Sequence, residues 1–234
     1  MATAAILPVK RLALAKQRLA GTVADPFRSR LARAMVSDVL SALSRTSSIE
    51  LVIVVTAEPT VASDARAHGA LVLADSDEAG QSAAVSIGVA RAIAERCERV
   101  LCVPGDCPAL EPDELDQLLA DANGTGGAAD GHGEVVIVPD RHGTGTNGLL
   151  LSPPDAIQPS FGPGSCERHS ALARQARVRW RLEHPPSLLL DVDTGEDLKA
   201  LRAALAGARS SAVRTRSVLE QQEGIAVLSG ATRD

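Results

Sequence analysis

The sequence predicts an α/β fold: a single domain in which helices cover both faces of a doubly wound, mostly parallel sheet. Short aliphatic runs alternate with longer segments of helical periodicity along most of the 234 residues, which is the pattern of strand–helix–strand units. The aliphatic runs are continuous, as suits strands that are covered on both faces. Ligands of such sheets bind outside the carboxyl ends of the strands. The residues that follow each strand are therefore the first candidates for function.

The predicted elements follow one another in a regular order. The segments Arg28–Leu43 and Ser82–Arg96 repeat apolar side chains about every four residues, which gives each of them one apolar stripe. Pro112 suits the first turn of a further helix, and Thr194 suits the cap of a helix over Gly195–Leu205. The predicted strands are Ala4–Val9, Leu51–Thr56, Leu71–Ala74, Val100–Pro104, Val135–Pro139, Gly148–Ser152 and Leu188–Val192.

One domain accounts for most of the chain. A length of 234 residues lies between one large domain and two small ones, and no internal repeat divides the sequence. The helical periodicity fades after Gly207. Residues 1–206 are therefore expected to form the functional domain, and residues 207–234 a weakly structured C-terminal tail.

Composition excludes several classes of function. Phe27, Phe161 and Trp180 are the only aromatic residues, so a protein that stacks nucleic-acid bases on aromatic side chains is not expected. The formal net charge is −5 and there is no long basic run, which argues against any nucleic-acid partner. No apolar run approaches the roughly 18–20 residues that cross a membrane, so no membrane partner is expected either.

The cysteines and the N-terminal stretch predict a cytoplasmic protein. Cys97, Cys102, Cys107 and Cys166 form no CxxC pair, and they are expected to be reduced thiols. The short apolar N-terminal stretch is followed by Lys10 and other basic residues, and not by a cleavage site, so it does not predict a signal peptide.

Carboxylates follow two of the predicted strands. Asp106 lies in a turn directly after one strand, and Asp191 and Asp193 lie at the end of another. Side chains two apart on a strand share a face, so Asp191 and Asp193 can point into one site. Magnesium prefers one or two carboxylates with substrate phosphate oxygens, and such acidic strand ends suit metal-assisted phosphoryl or nucleotidyl transfer. The alternatives are local: a turn residue bonded to its own backbone for Asp106, and a helix cap for Asp193.

Two glycine-rich segments and one basic segment can bind anions. The loop 139–148 places three glycines among hydroxyl and amide side chains, so that its N–H groups could wrap an oxyanion. Gly162 and Gly164 lead into a helix whose first turn offers N–H groups and the Ser165 hydroxyl. The basic residues after the first strand could hold a triphosphate; they are Lys10, Arg11, Lys16 and Arg18. A hairpin, helix capping and a solvated basic face are the respective alternatives.

These motifs together resemble one family. They occur in the order Pro8–Lys10 with Lys16 and Arg18, Pro104–Pro108, the 139–147 loop, the 161–165 turn and Asp191–Thr194. In this order they resemble the 2-phospholactate/phosphoenolpyruvate guanylyltransferases of deazaflavin coenzyme F-420 biosynthesis. The resemblance covers about residues 4–205. The turn around Asp106 is shared more widely by nucleotidyltransferases of the glycosyltransferase-A-like, Rossmann-like fold.

The resemblance implies a reaction and roles for individual residues. Residues 1–206 would be a nucleotidyltransferase domain that transfers GMP from GTP to phosphoenolpyruvate, 2-phospho-L-lactate or 3-phosphoglycerate and releases pyrophosphate. It implies handover of the product to the downstream deazaflavin transferase and is compatible with a homodimer. The implied metal ligands for Mg²⁺ are Asp106, Asp191 and Asp193, with Lys16 as a further catalytic residue. The implied acid-binding residues are Thr146, Gly162 and Ser165, and the implied nucleotide-binding residues are Pro8, Lys10, Lys16, Arg18, Gly80, Gln81, Ser82 and Gly105.

The implied chemistry needs no general base, and two other functions stay open at this point. The nucleophile would be the phosphate oxygen of the acid, which is ionised near neutral pH because its second pKa is about 6. A related nucleotidyltransferase for a molybdopterin or a sugar phosphate would carry a glycine-rich first loop, which Pro8–Lys10 does not supply. A non-catalytic nucleotide-binding regulatory module would have lost the acidic strand ends.

Overall fold

One seven-stranded sheet organises the described part of this computed structural model, which comprises residues 1–14, 16, 19, 25–124, 133–207 and 212–230. The strand order is β3-β2-β1-β4-β6-β5-β7, and neighbours are parallel except where β6 runs antiparallel to β4 and β5. The mostly parallel α/β sheet predicted from the sequence is thereby confirmed. The strands are β1 (Thr3–Val9), β2 (Leu51–Thr56), β3 (Leu71–Ala74), β4 (Arg99–Cys102), β5 (Glu134–Pro139), β6 (Thr146–Ser152) and β7 (Arg179–Leu182).

Helices cover both faces of the sheet. Successive side chains of a strand point to opposite faces, and in β1 Ala5 and Leu7 join one apolar layer while Ala4 and Ile6 join the other. The first layer includes residues of α1, α2, α4, α6 and α7, and the second includes residues of α3 and α5. The helices are α1 (Asp25–Arg45), α2 (Pro59–Ala67), α3 (Gln81–Ala94), α4 (Pro112–Gly124), α5 (Ser165–Ala176), α6 (Gly195–Gly207) and α7 (Val213–Gly230). None of the helices described is long and apolar enough to cross a membrane.

The predicted strand Leu188–Val192 is wrong. Leu188 ends a short 3₁₀ helix that begins at Pro186, and the residues after it run without regular secondary structure. Leu188 and Val192 are apolar because they fill the first apolar layer, and their backbone is held by other contacts: Asn147 Nδ2 donates to the Leu188 carbonyl (2.9 Å), and the Val192 N–H donates to the Asp106 carbonyl (3.1 Å). A buried apolar run therefore does not by itself specify a strand.

The edge strand next to β5 is β7, which was not predicted from the sequence. Its residues alternate arginine with Trp180 and Leu182, so it lacks the aliphatic run of the other strands. Arg179 and Arg181 both pair with the buried carboxylate of Glu134 on β5. Charged side chains on an edge strand are common because they discourage pairing with another chain.

Part of the C-terminal tail is helical, in contrast to the weak structure predicted for residues 207–234. The side chain of Asp38 on α1 accepts the N–H groups of Arg214 and Thr215, at 3.1 and 2.7 Å, and so caps the first turn of α7. Ala212 and Leu219 are buried in the first apolar layer. The cap comes from a residue 176 positions away, so local sequence could not reveal it.

The topology brings the predicted functional segments to one edge of the sheet. The segments after β1, β3 and β4 lie at the carboxyl ends of parallel strands. Since β6 runs the other way, its first residues, Thr146 and Asn147, reach the same edge, where Thr146 is paired with Pro139. The Val192–Asp106 backbone hydrogen bond adds the loop before α6.

Candidate active site

Two cavities open at this edge and share a border. The first has a volume of about 390 Å³ and the second about 310 Å³, which is the size range of small-molecule sites. Asp106 and Asp193 line both cavities, together with Gln81 and Pro104. The first cavity extends along β1, α1 and the start of α3, and the second extends along the 140–147 loop and the start of α5.

Lys16 joins the two carboxylates at the border. Its Nζ lies 2.5 Å from Asp106 Oδ2 and 3.0 Å from Asp193 Oδ1, and only 9% of the residue is exposed. Burial alone lowers the pKa of a lysine, but the charges and hydrogen bonds of Asp106 and Asp193 outweigh it and raise the pKa above its usual value. The ammonium group is therefore charged.

Asp106 retains the capacity to hold a further cation. Its Oδ1 is buried and has no hydrogen-bond partner, whereas Oδ2 faces Lys16. A buried carboxylate oxygen without a donor is costly, and a divalent metal ion would satisfy it. Within the described residues, no three His, Cys, Asp or Glu side chains are gathered closely enough to hold an ion. The three predicted ligands therefore do not form one ready-made site, and the donor set fits an ion that takes its remaining ligands from substrate phosphates.

Asp191 lies on the second-cavity side of this cluster. Asn147 Nδ2 donates to its Oδ1 at 3.2 Å, and Asp191 lines the second cavity only. Burial raises the pKa of Asp191, and the negative charge of Asp106 adds to the rise, while the Asn147 hydrogen bond opposes it. Asp191 and Asp193 were predicted to lie side by side on a strand. In the structure they lie in a segment without regular secondary structure, with Asp193 lining both cavities and Asp191 only the second.

A second layer of contacts fixes Asp193. The buried Asp197 carboxylate accepts the N–H groups of Asp193 and Thr194, at 3.0 and 2.7 Å, while Thr194 Oγ1 accepts the Asp197 N–H in return (3.3 Å). This is a capping box at the start of α6, so capping and presentation of Asp193 coexist. Arg141 Nη2 contacts Asp197 at 2.5 Å and links the box to the 140–147 loop.

The second cavity ends in a fixed chain of hydroxyl groups. The Ser160 N–H donates to His169 Nε2 (2.9 Å), so the ring hydrogen lies on Nδ1 and is donated to Thr146 Oγ1 (3.1 Å). Ser165 Oγ also donates to Thr146 Oγ1 (2.9 Å). Because Thr146 accepts two hydrogen bonds, its own hydrogen is left for an acceptor in the cavity, such as an anionic oxygen.

His169, which the sequence analysis passed over, supports this chain. It is completely buried, and its ring meets Phe161 edge-on with centroids 5.1 Å apart. Burial, assisted by the charge of Arg168, lowers the pKa of His169 to about 4. The ring is therefore neutral at physiological pH and keeps its single hydrogen for Thr146.

The low pKa of His169 predicts a loss of stability in mild acid. The unfolded chain takes up a proton near pH 6.5, whereas the folded protein does so near pH 4, so folding stability should fall as the pH drops from 6.5 to 4. The full shift corresponds to roughly 3 kcal/mol. Urea unfolding at pH 4.5 and 7 should show a smaller pH-dependence for His169→Gln than for the wild type. The exposed His184 provides the control His184→Gln, and equal pH-dependence in all three proteins would contradict the buried neutral ring.

The structure gathers most of the residues predicted to bind substrates. Thr146, Gly162 and Ser165 all line the second cavity. The predicted nucleotide-binding residues that line the first cavity are Pro8, Lys10, Lys16, Gly80, Gln81 and Gly105. Ser82 lines neither; its hydroxyl accepts the Phe161 N–H at 2.9 Å and so ties α3 to the 161–165 turn. Arg18 lies outside the described residues.

Solved structures share this fold. A nucleotide-diphospho-sugar transferase from Desulfovibrio desulfuricans G20 superposes with a TM-score of 0.72, at 18% identity and 96% coverage of both chains. A cytidylyltransferase from Leptospira borgpetersenii superposes with a TM-score of 0.61, at 13% identity and 96% coverage of both chains. At these identities the similarity establishes the fold alone. The chain therefore shares the fold of these two structures, and carboxylates lie at the junction of its two cavities.

Sequence comparison identifies the family of the chain. The profile of the family described as "Guanylyl transferase CofC like" matches residues 3–213. A protein from Conexibacter woesei named phosphoenolpyruvate guanylyltransferase is 51% identical over 221 residues, which cover 94% of this chain and 96% of the relative. The chain belongs to the CofC-like guanylyl transferase family. The family resemblance inferred from the motifs is confirmed.

Proposed function

We propose that the protein transfers GMP from GTP to a small phosphorylated carboxylic acid in coenzyme F-420 biosynthesis, acting in the cytoplasm, and that phosphoenolpyruvate is the acid. The observation that carries the proposal is the pair of cavities that meet at Asp106 and Asp193. A transfer between two substrates needs a site for each and one point of contact, and the carboxylates mark that point. The name of the Conexibacter woesei relative supports phosphoenolpyruvate as the acid.

The first cavity suits the nucleotide. Lys10 and Lys16 provide positive charge on its lining, and Gly105 allows phosphates to approach the backbone next to Asp106. A Cβ on Gly105 would lie 3.0 Å from Val36 Cγ2, so a larger residue would press on α1. These residues support a pose of GTP with its α-phosphorus near the border, where Lys16 would stabilise the charge that develops during transfer.

The second cavity suits the acid. The free hydrogen of Thr146 and the backbone of Gly162 line this cavity and would face an anion placed there. The N–H groups of Ser165 and Cys166 in the first turn of α5 are already donated to the carbonyls of Gly162 and Thr144, at 3.0 and 3.2 Å. Gly162 has a φ of 109°, a conformation that favours glycine. A phosphate held next to these groups would direct one oxygen toward the border with the first cavity.

We propose Mg²⁺ as the metal and Asp106 with Asp193 or Asp191 as its protein ligands. When bound, the ion supplies Lewis-acid neutralisation of the phosphate charges. Asp106 would contribute its unpartnered Oδ1. Lys16 would then exchange part of its contact with the carboxylates for contact with the triphosphate, since its Nζ already lies at the border.

The side chains of the protein contribute to catalysis mainly by positioning the two substrates. The acid's phosphate is ionised near neutral pH, so no side chain has to remove a proton from the nucleophile. The attacking oxygen and the α-phosphorus need to be held in line and about 3–3.5 Å apart. Asp197 and Arg141 keep Asp193 in place, and His169 keeps Thr146 in place, so both sides of the border are fixed before the substrates bind.

Pyrophosphate release tests the proposal directly. The purified protein should release pyrophosphate from GTP and Mg²⁺ when phosphoenolpyruvate is added, more slowly with 2-phospho-L-lactate or 3-phosphoglycerate, and not without an acid. EDTA should abolish the release. Because we propose that the product is handed to the deazaflavin transferase, adding that enzyme should trap the product and sustain turnover. Failure of every acid and every nucleoside triphosphate to give pyrophosphate would refute the proposed function.

Ser165→Ala should weaken binding of the acid and leave binding of GTP unchanged. The substitution removes the hydrogen bond that Ser165 Oγ donates to Thr146 Oγ1 and so loosens the Thr146 hydroxyl, whose own hydrogen bond to a charged ligand would contribute about 1.5–3 kcal/mol. The KM for the acid should rise by roughly 10-fold or more, while the KM for GTP stays within about twofold. Ser170 in the same helix donates only to the Cys166 carbonyl and is the matched control, as Ser170→Ala. A rise of both KM values together would contradict the assignment of the second cavity to the acid.

A further inference from the structure

We infer that Asp75 binds the base of the nucleotide, with its carboxylate accepting hydrogen bonds from N1–H and the 2-amino group of guanine. This inference deepens the proposed function and rests on it, because it takes the first cavity to be the GTP site. No sequence motif singled out Asp75; the inference comes from its surroundings in the structure.

Asp75 is a buried carboxylate without a partner. It follows the last residue of β3, lines the first cavity and is only 7% exposed. Its Oδ1 is buried and accepts no hydrogen bond, and in the described part of the chain no cation or donor contacts its side chain. Leaving such a group unpaired costs folding free energy. A carboxylate held in this state at a cavity wall is explained by a ligand that brings hydrogen-bond donors.

Guanine carries the donors that fit. An ionised carboxylate only accepts hydrogen bonds, and it has two oxygens side by side. The N1–H and the 2-amino group of guanine are adjacent donors on one edge of the ring, so each can meet one oxygen. Adenine presents an acceptor at N1 and no amino group at C2, and it would face the carboxylate with its lone pair. Asp75 would therefore both bind GTP and reject ATP.

The rest of the cavity favours a base over a ribose at this position. Apolar side chains from α1 and α3 also line the first cavity, and they suit the flat faces of a purine. They are Ala32, Met35, Val36 and Ala84. A ribose, with hydroxyl groups on its edge, would leave that apolar wall unused. The phosphate-binding candidates Gly105 and Lys16 belong to the same cavity, so one nucleotide can reach from Asp75 to the border. Aliphatic packing also accounts for base binding in a chain with three aromatic residues.

The nucleotide preference of Asp75→Asn tests the inference. Asparagine keeps an acceptor for N1–H but turns an amide N–H₂ toward the 2-amino group, so two donors face each other with GTP. Xanthosine triphosphate has a carbonyl at C2 and pairs with the same amide. The ratio of kcat/KM for XTP to that for GTP should rise at least 100-fold in Asp75→Asn. Asp77→Asn, at an exposed carboxylate two residues further on that is absent from the cavity lining, should leave the ratio unchanged.

A second variant, Asp75→Ala, and a second nucleotide, inosine triphosphate, provide a separate test of the same contact. The wild type should prefer GTP to inosine triphosphate, which lacks the 2-amino group, at least 10-fold. In Asp75→Ala that preference should fall to about onefold. An unchanged XTP-to-GTP ratio in Asp75→Asn, or an unchanged GTP preference in Asp75→Ala, would overturn the inference. A change only in the preference for GTP over 2′-deoxy-GTP would also overturn it, because Asp75 would then contact the ribose.

Thermal unfolding separates this inference from the proposed function. Without nucleotide, both Asp75 variants should melt at or above the wild-type temperature, because they lose a buried carboxylate oxygen that has no hydrogen-bond partner. A melting temperature more than about 5 °C lower in both would overturn the inference, since Asp75 would then have a structural partner. GTP should raise the Tm of the wild type and XTP that of Asp75→Asn. If the wild type transfers no nucleotide to any acid but GTP raises its Tm and XTP raises that of Asp75→Asn, the proposed function fails and the role of Asp75 stands.

Discussion

Asp106→Asn is expected to lower kcat by about 10³-fold or more and to leave the fold intact. Asp106 lines both cavities and contacts Lys16, and among the described residues its Oδ1 is a buried carboxylate oxygen at the border without a hydrogen-bond partner. The loss of one preorganised electrostatic contact in an active site costs about 10²–10³-fold, and Asp106 would contribute both a metal ligand and the orientation of Lys16. The asparagine keeps the shape of the side chain, and the Asp106 carbonyl still accepts the Val192 N–H.

The rate of pyrophosphate release and the Tm together check this expectation. Asp113→Asn, at an exposed carboxylate in the first turn of α4, is the control and should behave as the wild type in both measurements. A rate for Asp106→Asn within threefold of the wild type would remove Asp106 from the centre of the mechanism.

Lys16→Met is expected to lower kcat/KM for GTP by about 10²-fold or more. Methionine has a similar length without the charge, so the triphosphate loses a cation at the border. Asp106 and Asp193 would also be left facing each other without a positive group between them, and like charges at such a distance destabilise one another.

Added Mg²⁺ should therefore raise the Tm of Lys16→Met more than that of the wild type, because the ion replaces the missing charge. Lys10→Met is the comparison: Lys10 is exposed and lines only the first cavity, so its loss should cost less than tenfold, mainly in the KM for GTP. Equal losses for the two lysines, with no difference in the response to Mg²⁺, would contradict the central place of Lys16.

Much of the candidate site follows from sequence because function in a parallel sheet concentrates at strand ends. Asp106 follows a buried strand, and Thr146 and Ser165 follow glycine-rich segments, so simple rules about strand ends and helix starts located them. Asp75 carries the same signal as Asp106: it is the first polar residue after a correctly predicted aliphatic strand. It was missed because it lacks neighbouring glycines or prolines to mark it.

What the sequence could not reveal depends on contacts between distant residues. His169 acts through a backbone N–H nine residues before it and a hydroxyl 23 residues before it, and histidine spacing predicts neither. The Leu188–Val192 strand was wrong because burial in a helix-covered layer gives the same aliphatic pattern as a strand. The α7 cap by Asp38 and the link from Arg141 to Asp197 likewise join segments that only the fold brings together.

In the proposed reaction the acid's phosphate oxygen attacks the α-phosphorus of GTP where the two cavities meet. The most direct test uses phosphoenolpyruvate labelled with ¹⁸O in its phosphate, with the product and the pyrophosphate followed by ³¹P NMR during turnover. We expect ¹⁸O in the bridge between the two phosphorus atoms of the product and no label in the pyrophosphate. Label in the pyrophosphate, or release of free GMP with no bridged product, would contradict it.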